Sequence, residues 1–146
     1  MCQANWSFPT DIRFGCGRML EVKQGCDQLN IQRPLIVTDK TLVSTSIFAK
    51  FRDKLFSTGM KFDIFSDVDT NPNEKNLTDG LTYLKKVNSD GIITFGGGSA
   101  IDLGKLLSFM SVQTRPVWDF EDQTDWWKRA SKLNTLPLIA LPTTAG

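Results

Sequence analysis

Three consecutive glycines, residues 96–98, stand between a short apolar run at residues 92–95 and a helical pattern that opens at Ser99. The run is β-branched and too short for a helix, so it predicts a buried strand. The glycines remove three Cβ atoms where a ligand could approach the backbone. Unpaired N–H groups and the helix dipole both point into such a turn, which favours a bound phosphate. A tight turn needed only for close packing is the alternative.

The glycine turn fits neither of two familiar phosphate motifs. The Rossmann fingerprint GxGxxG would need a third glycine where Ile101 stands, and a P-loop would need a glycine at Ser99 and Ser or Thr at Leu106. The stretch from Ser99 to Asp102 instead predicts a capping box, in which the Ser99 hydroxyl accepts from first-turn N–H groups and Asp102 reaches back. Lys105 is interpreted as a solvated helix residue.

Polar residues follow two further apolar runs. Asp39 comes after the run at residues 34–37, where a carboxylate can accept both ribose hydroxyls of an adenosine and repel a 2′-phosphate. The alternative for Asp39 is a turn or helix-entry aspartate. Thr143 and Thr144 follow the run at residues 136–141, and their hydroxyls either bind phosphate or cap a helix.

Strand and helix patterns alternate along the chain. Strands are predicted at residues 34–39, 61–66, 92–95 and 136–141, and short edge strands at residues 6–14. Helices are predicted at residues 18–29, after a cap at Ser44 or Ser46, after a cap at Asn73, and from Ser99. This alternation is typical of an α/β fold, a parallel sheet with helices on both faces. Because ligands bind at the carboxyl ends of such strands, the fold should bring residues 38–39, 96–99 and 143–144 to one edge.

Composition excludes several classes of function. The chain has 146 residues, the size of one domain, and a formal net charge of +1, so no basic stripe indicates nucleic acid. No apolar run approaches bilayer length, and the start of the chain lacks a basic segment followed by an apolar one, so we expect a soluble cytoplasmic protein without membrane partners. The chain has three cysteines and no CxxC pair, and Cys16 is interpreted as a small buried residue. It contains no histidine, so a His-ligated metal or a Ser–His pair cannot form within it.

Taken together, the motifs resemble one family, the iron-containing (group III) alcohol dehydrogenases of the dehydroquinate synthase-like superfamily. The resemblance spans nearly the whole chain in consistent order. The matching residues are FGCG at 14–17, TDK at 38–40, Asn71-Pro72, GGGSAIDLGK at 96–105 and LPTTAG at 141–146. The last two motifs are specific to the alcohol dehydrogenase branch.

The resemblance implies that residues 1–146 form a Rossmann-like, N-terminal NAD(P)-binding domain. The turn at Gly96, Gly97, Gly98 and Ser99 would cradle the pyrophosphate, and Asp39 would take the adenosine ribose and favour NAD over NADP. The remaining cofactor contacts carried over from the family are Asn71 in the dinucleotide cleft, Asp102 near the nicotinamide end, and Thr143 and Thr144 from the next loop. Family members often dimerise through N-terminal strands, so residues 6–14 are expected at a homodimer interface.

The resemblance also limits the expected activity. In the family a helical C-terminal domain supplies an aspartate and three histidines to Fe²⁺, or sometimes Zn²⁺, which polarises the alcohol for hydride transfer. This chain stops within the threonine motif and has no histidine. We therefore expect no catalytic residues and no metal ligands in it, and no dehydrogenase activity from the fragment alone. The resemblance implies a small alcohol or aldehyde as the substrate of the full-length protein. A stand-alone nucleotide-binding module and a non-binding structural fragment are the alternatives.

Overall fold

A computed structural model describes residues 10–121, 123, 125–131 and 134–144, which include a four-stranded, all-parallel sheet. The strands are β1 (Pro34–Val37), β2 (Asp63–Phe65), β3 (Gly91–Gly96) and β4 (Leu138–Pro142). The helices are α1 (Val22–Gln28), α2 (Lys40–Val43), α3 (Ser46–Ser57), α4 (Glu74–Val87) and α5 (Gly98–Met110). Short 3-10 turns cover Arg18–Glu21, Val117–Phe120 and Trp126–Arg129. The predicted α/β, Rossmann-like class is confirmed.

The sheet is covered on both faces, because successive residues of a buried strand point to opposite sides. On one face Leu35 and Val37 of β1 pack with apolar residues of α4 and α5. On the other face Ile36 packs with residues of α1 and α3. This second cluster includes three fully buried or nearly buried phenylalanines whose ring centroids lie 5.0–6.0 Å apart: Phe48, Phe51 and Phe95. The two cores hold the ends of the strands in fixed positions.

Capping residues decide where the helices begin. Asn73 caps α4 as predicted: its side chain accepts from Lys75 N and Asn76 N, and the Asn76 side chain accepts from Asn73 N, which completes a capping box. The cap of α3 is Thr45, which lies between the two predicted serines and accepts from Phe48 N at 3.3 Å. The four-residue helix α2 was not expected from the sequence, because one turn is too short to show a helical period.

The strand order is β2-β1-β3-β4. From β1 the chain first moves outward to β2 and then returns past β1 to β3, so the direction of winding changes between β1 and β3. In open parallel sheets, ligands bind in the crevice at this change of direction, outside the carboxyl ends of the strands. The crevice of this sheet is therefore flanked by the residues that follow β1 and those that follow β3.

Two predictions for the chain outside the sheet fall at least partly within the described residues. The expected N-terminal edge strands are not found in residues 10–14, and residues 6–9 lie outside the described part. Cys16 is exposed, so its interpretation as a buried residue was wrong, because the Gly15–Gly17 turn carries it to the surface. Cys26 is the buried thiol, and burial raises its pKa to about 11.

Among the described residues, no helix has both the length and the apolar character needed to cross a bilayer.

Candidate functional site

The glycine turn joins the end of β3 to the start of α5. Gly96 is the last residue of β3, Gly97 is the N-cap in extended conformation, and Gly98 is the first helical residue. No side chain in the described part of the chain caps α5, so its first-turn N–H groups have no side-chain acceptor there. Because the helix dipole also favours negative charge there, this end of α5 can bind an anion.

The predicted capping box at Ser99 was wrong. The helix starts one residue earlier than expected, which places Ser99 inside the first turn instead of at the cap. Its hydroxyl donates a hydrogen bond to the main-chain oxygen of Thr70, in the loop that follows β2. Ser99 therefore ties that loop to the start of α5, and the N-terminal end of the helix is left open.

The three glycines leave different amounts of space. A Cβ on Gly96 would lie 2.7 Å from Ala100 Cβ, so this glycine is needed for close packing of strand and helix. A Cβ on Gly97 would lie 3.2 Å from Thr144 Oγ1. A Cβ on Gly98 would meet no heavy atom of the described residues within 4 Å. The turn thus serves both purposes considered from the sequence, close packing at Gly96 and an open approach to the backbone at Gly98.

Asp39 follows β1 on the other side of the crevice. Its Oδ1 accepts from Thr41 N and Leu42 N, both at 2.9 Å, and so caps α2. Its Oδ2 has no hydrogen-bond partner among the described residues and lies 3.9 Å from the Cβ position of Gly96. The helix-entry role is confirmed, and the second carboxylate oxygen faces the glycine turn, where it can accept from a ligand.

The loop after β4 closes the third side of the site. Thr143 N donates to Gly96 O at 3.0 Å, and Thr144 Oγ1 lies beside Gly97. Both threonines are exposed, while Ala145 and Gly146 lie outside the described residues. The predicted meeting of residues 38–39, 96–99 and 143–144 at one edge of the sheet is confirmed.

The two remaining predicted site residues lie at the margin of this edge. Asn71 is exposed and follows Thr70, whose main-chain oxygen accepts the hydrogen bond from Ser99. Asp102 lies one helical turn after Gly98 on the same side of α5, and 76% of its side chain is exposed. Its carboxylate is 4.0 Å from the ammonium of Lys105, itself mainly exposed.

An ion pair that the sequence did not reveal lies beside Asp39. The ammonium of Lys40, the first residue of α2, contacts the carboxylate of Asp67 in the loop after β2. Its hydrogen bond to Lys40 lowers the pKa of Asp67, and the same bond raises the pKa of Lys40. The only sequence signal was that each residue closely follows a predicted strand.

The described residues do not fit the metal implied by the family resemblance. The sequence has no histidine, and the described residues contain no group of three metal-ligating side chains. The strand-end residues do fit a nucleotide, since they combine an uncapped helix terminus, the open space at Gly98 and the unpaired Asp39 oxygen.

An apolar depression of about 320 Å³ lies apart from the strand-end site, between α5 and the connection that leads to β4. Trp118 lines it, is 61% exposed, and donates from Nε1 to Glu74 at 3.0 Å. Nearly all of its lining is apolar, so it offers no groups for a phosphate. We therefore place the candidate site at the strand ends.

Residues 9–146 match the family described as iron-containing alcohol dehydrogenase. The mitochondrial hydroxyacid-oxoacid transhydrogenase of Caenorhabditis briggsae is 34% identical over 138 residues, which are 92% of this chain and 29% of that protein.

Solved structures show the same fold. The alcohol dehydrogenase from Oenococcus oeni superposes with a TM-score of 0.80 at 31% identity, over 92% of this chain and 34% of that one. The sulfoacetaldehyde reductase from Bifidobacterium kashiwanohense, solved in complex with NAD⁺, superposes with a TM-score of 0.84 at 27% identity, over 100% of this chain and 37% of that one. The chain spans about a third of the length of the relatives it matches. The match over residues 9–146 nevertheless shows that this chain belongs to the iron-containing alcohol dehydrogenase family.

Proposed function

We propose that residues 10–144 bind NAD at the crevice between β1 and β3, as the cofactor domain of an NAD-dependent, metal-containing alcohol dehydrogenase. The observation that carries this proposal is the meeting of three strand ends at the uncapped start of α5. The pyrophosphate would accept from the N–H groups of Gly98 and Ser99. The adenosine ribose would donate to Asp39 Oδ2, while Thr143 and Thr144 would flank the phosphates.

The residues at the margin take supporting roles in this proposal. Asn71 would line the cleft, because Ser99 holds the adjacent carbonyl of Thr70 against α5. Asp102 would lie toward the nicotinamide, one turn from Gly98 on the open side of the helix. A bound dinucleotide supplies the hydride acceptor for oxidation of an alcohol to an aldehyde.

The chain by itself is proposed to bind the cofactor without turning over an alcohol. Its sequence offers no histidine ligand for a metal, and the metal is what polarises the alcohol oxygen in the family. Alcohol oxidation by this chain alone, with Fe²⁺ added, would contradict this part of the proposal.

Location and assembly are further parts of the proposal. A cytoplasmic location is expected from composition, whereas two relatives, both hydroxyacid-oxoacid transhydrogenases of Caenorhabditis, are named mitochondrial. A homodimer through the N-terminal segment is supported by two apolar side chains left in solvent, Ile12 at 68% exposed and Phe14 at 94%.

The substitution Asp39→Asn tests the ribose contact. An asparagine caps a helix about as well as an aspartate, so the stability of α2 should be kept while the anionic acceptor is lost. Loss of a hydrogen bond to a charged group costs about 1.5–3 kcal/mol, so we expect ADP-ribose to bind about ten- to a hundredfold more weakly by calorimetric titration. The affinity for NADPH should fall less than the affinity for NADH, because the substitution also removes the repulsion between the Asp39 carboxylate and the 2′-phosphate.

The matched control is Asp53→Asn, which removes the same charge from an exposed ion pair with Arg52 on α3, two turns from the start of that helix. It should bind ADP-ribose as the wild type does. Absence of binding by the wild type at millimolar ADP-ribose would refute the proposed site, and equal weakening by both substitutions would refute the role of Asp39.

A further inference from the structure

The ion pair between Lys40 and Asp67 joins two of the loops that border the crevice. Lys40 directly follows Asp39, and Asp67 lies two residues beyond the end of β2. Both side chains remain largely in solvent, 76% exposed for Lys40 and 56% for Asp67. The contact therefore contributes little to stability. Its interest for function is that Lys40 directly follows Asp39, the proposed acceptor for the ribose.

The strand order places this pair on a definite side of Asp39. The glycine turn ends β3, on one side of β1, and Asp67 follows β2, on the other. A dinucleotide with its pyrophosphate at Gly98 and its ribose at Asp39 runs from β3 toward β1. In such a pose, a substituent on the ribose hydroxyls would point toward the end of β2 and the Lys40–Asp67 pair.

A phosphate on the 2′-hydroxyl would need a cation at this place. The Lys40 ammonium is the nearest along the chain, but the Asp67 carboxylate already holds it and cancels much of its charge. Two further charged groups belong to the same surroundings. Asp69 adds negative charge beside Lys40, and Lys75 is paired with Asp79 on α4.

We propose that Asp67 is a specificity-determining positioning residue, which keeps the Lys40 ammonium in an ion pair and so disfavours dinucleotides that carry a 2′-phosphate. The inference rests on the proposed NAD site and adds a second contribution to the discrimination by Asp39. Asp67 does not touch the ligand in this arrangement; it acts through Lys40.

The test compares ADP-ribose with its 2′-phosphate by calorimetric titration. The variants are Asp67→Asn, Lys40→Gln and the double variant, each in the wild-type chain and in the Asp39→Asn background. Asp67→Asn should fold normally, because Asn76 Nδ2 holds the main-chain oxygen of Asp67 at 3.0 Å and the substitution does not change that bond. Asp53→Asn again serves as the charge-matched control.

We expect Asp67→Asn to tighten binding of the 2′-phosphorylated ligand about threefold at low ionic strength and to leave ADP-ribose unchanged. The gain should shrink at about 150 mM salt, where the Debye length is about 8 Å. The gain in affinity should vanish when Lys40→Gln is added. The variant Asp67→Glu, which keeps the carboxylate, should show the same preference between the two ligands as the wild type. A loss of loop structure would change the affinity for both ligands alike. A change in affinity for the 2′-phosphorylated ligand only therefore indicates the release of Lys40.

If Asp67→Asn changed the affinity for both ligands equally, or if the gain in affinity persisted in the Lys40→Gln background, the inference would be overturned. Neither result would contradict the proposed NAD site. If the wild-type chain binds neither ligand at millimolar concentration, the proposed NAD site is wrong and the inference falls with it.

Discussion

Gly98→Ala should weaken binding of ADP-ribose at least about tenfold, equivalent to about 1.4 kcal/mol, without lowering the stability of the fold. A Cβ at this position meets no heavy atom of the described residues within 4 Å, so this part of the chain has room for the methyl group. Gly98 is helical, and replacing such a glycine by alanine stabilises proteins by about 0.4–1 kcal/mol through the unfolded state. The methyl group would occupy the space through which a phosphate reaches the first-turn N–H groups.

Calorimetric titration and urea denaturation of the same samples measure the two effects. Gly97→Ala is the informative comparison, because its Cβ would lie 3.2 Å from Thr144 Oγ1 and disturb the threonine loop as well. Gly98→Val should weaken binding more than Gly98→Ala. Unchanged affinity in both Gly98 variants would mean that the ligand does not approach α5 at its N-terminal end.

Gly104→Ala should destabilise the protein by about 3 kcal/mol. Gly104 is buried where α5 crosses β3, and a Cβ there would lie 2.1 Å from Thr94 Cγ2. Thr94 is fully buried in a central strand and β-branched, so it cannot turn aside, and overpacking of this kind costs about 1–3 kcal/mol or more. Urea denaturation measures the loss.

Two further substitutions make this prediction specific. Gly80→Ala is the matched control, because its Cβ would meet Leu107 Cδ2 at 2.8 Å, the far end of a flexible side chain, and should cost much less. Thr94→Ala removes the clashing methyl group and a buried hydroxyl that has no partner among the described residues, so it should rescue Gly104→Ala. Additive losses in the Thr94→Ala/Gly104→Ala variant would show that the contact between α5 and β3 is not the cause.

Local patterns predicted much of this fold. The apolar runs predicted as buried strands at residues 34–37 and 92–95 lie in the neighbouring strands β1 and β3, and the cap at Asn73 was placed at the correct residue. Such features depend on side chains within a few positions of one another, which a sequence displays directly. The convergence of Asp39 with the glycine turn followed from a general property of parallel sheets.

Features that depend on distant partners could not be read in this way. Ser99 has the residue type and spacing of a cap, but its hydroxyl instead donates a hydrogen bond to the main-chain oxygen of Thr70, 29 positions away. The ion pair joins two exposed side chains, Lys40 and Asp67, that follow different strands. No periodic pattern in the sequence therefore indicates it. The strand order, which sets the crevice between β1 and β3, likewise arises from packing of the whole chain.

The most direct test of the site is an NMR titration of the isotopically labelled chain with ADP-ribose. We expect saturable amide shifts at three separate places in the sequence that meet only in the fold, namely residues 39–42, 96–100 and 143–144. Because the same ligand would perturb all three, they should titrate with one dissociation constant. Saturable shifts confined to the apolar depression around Trp118, or no saturable shifts at millimolar ligand, would contradict the proposed site.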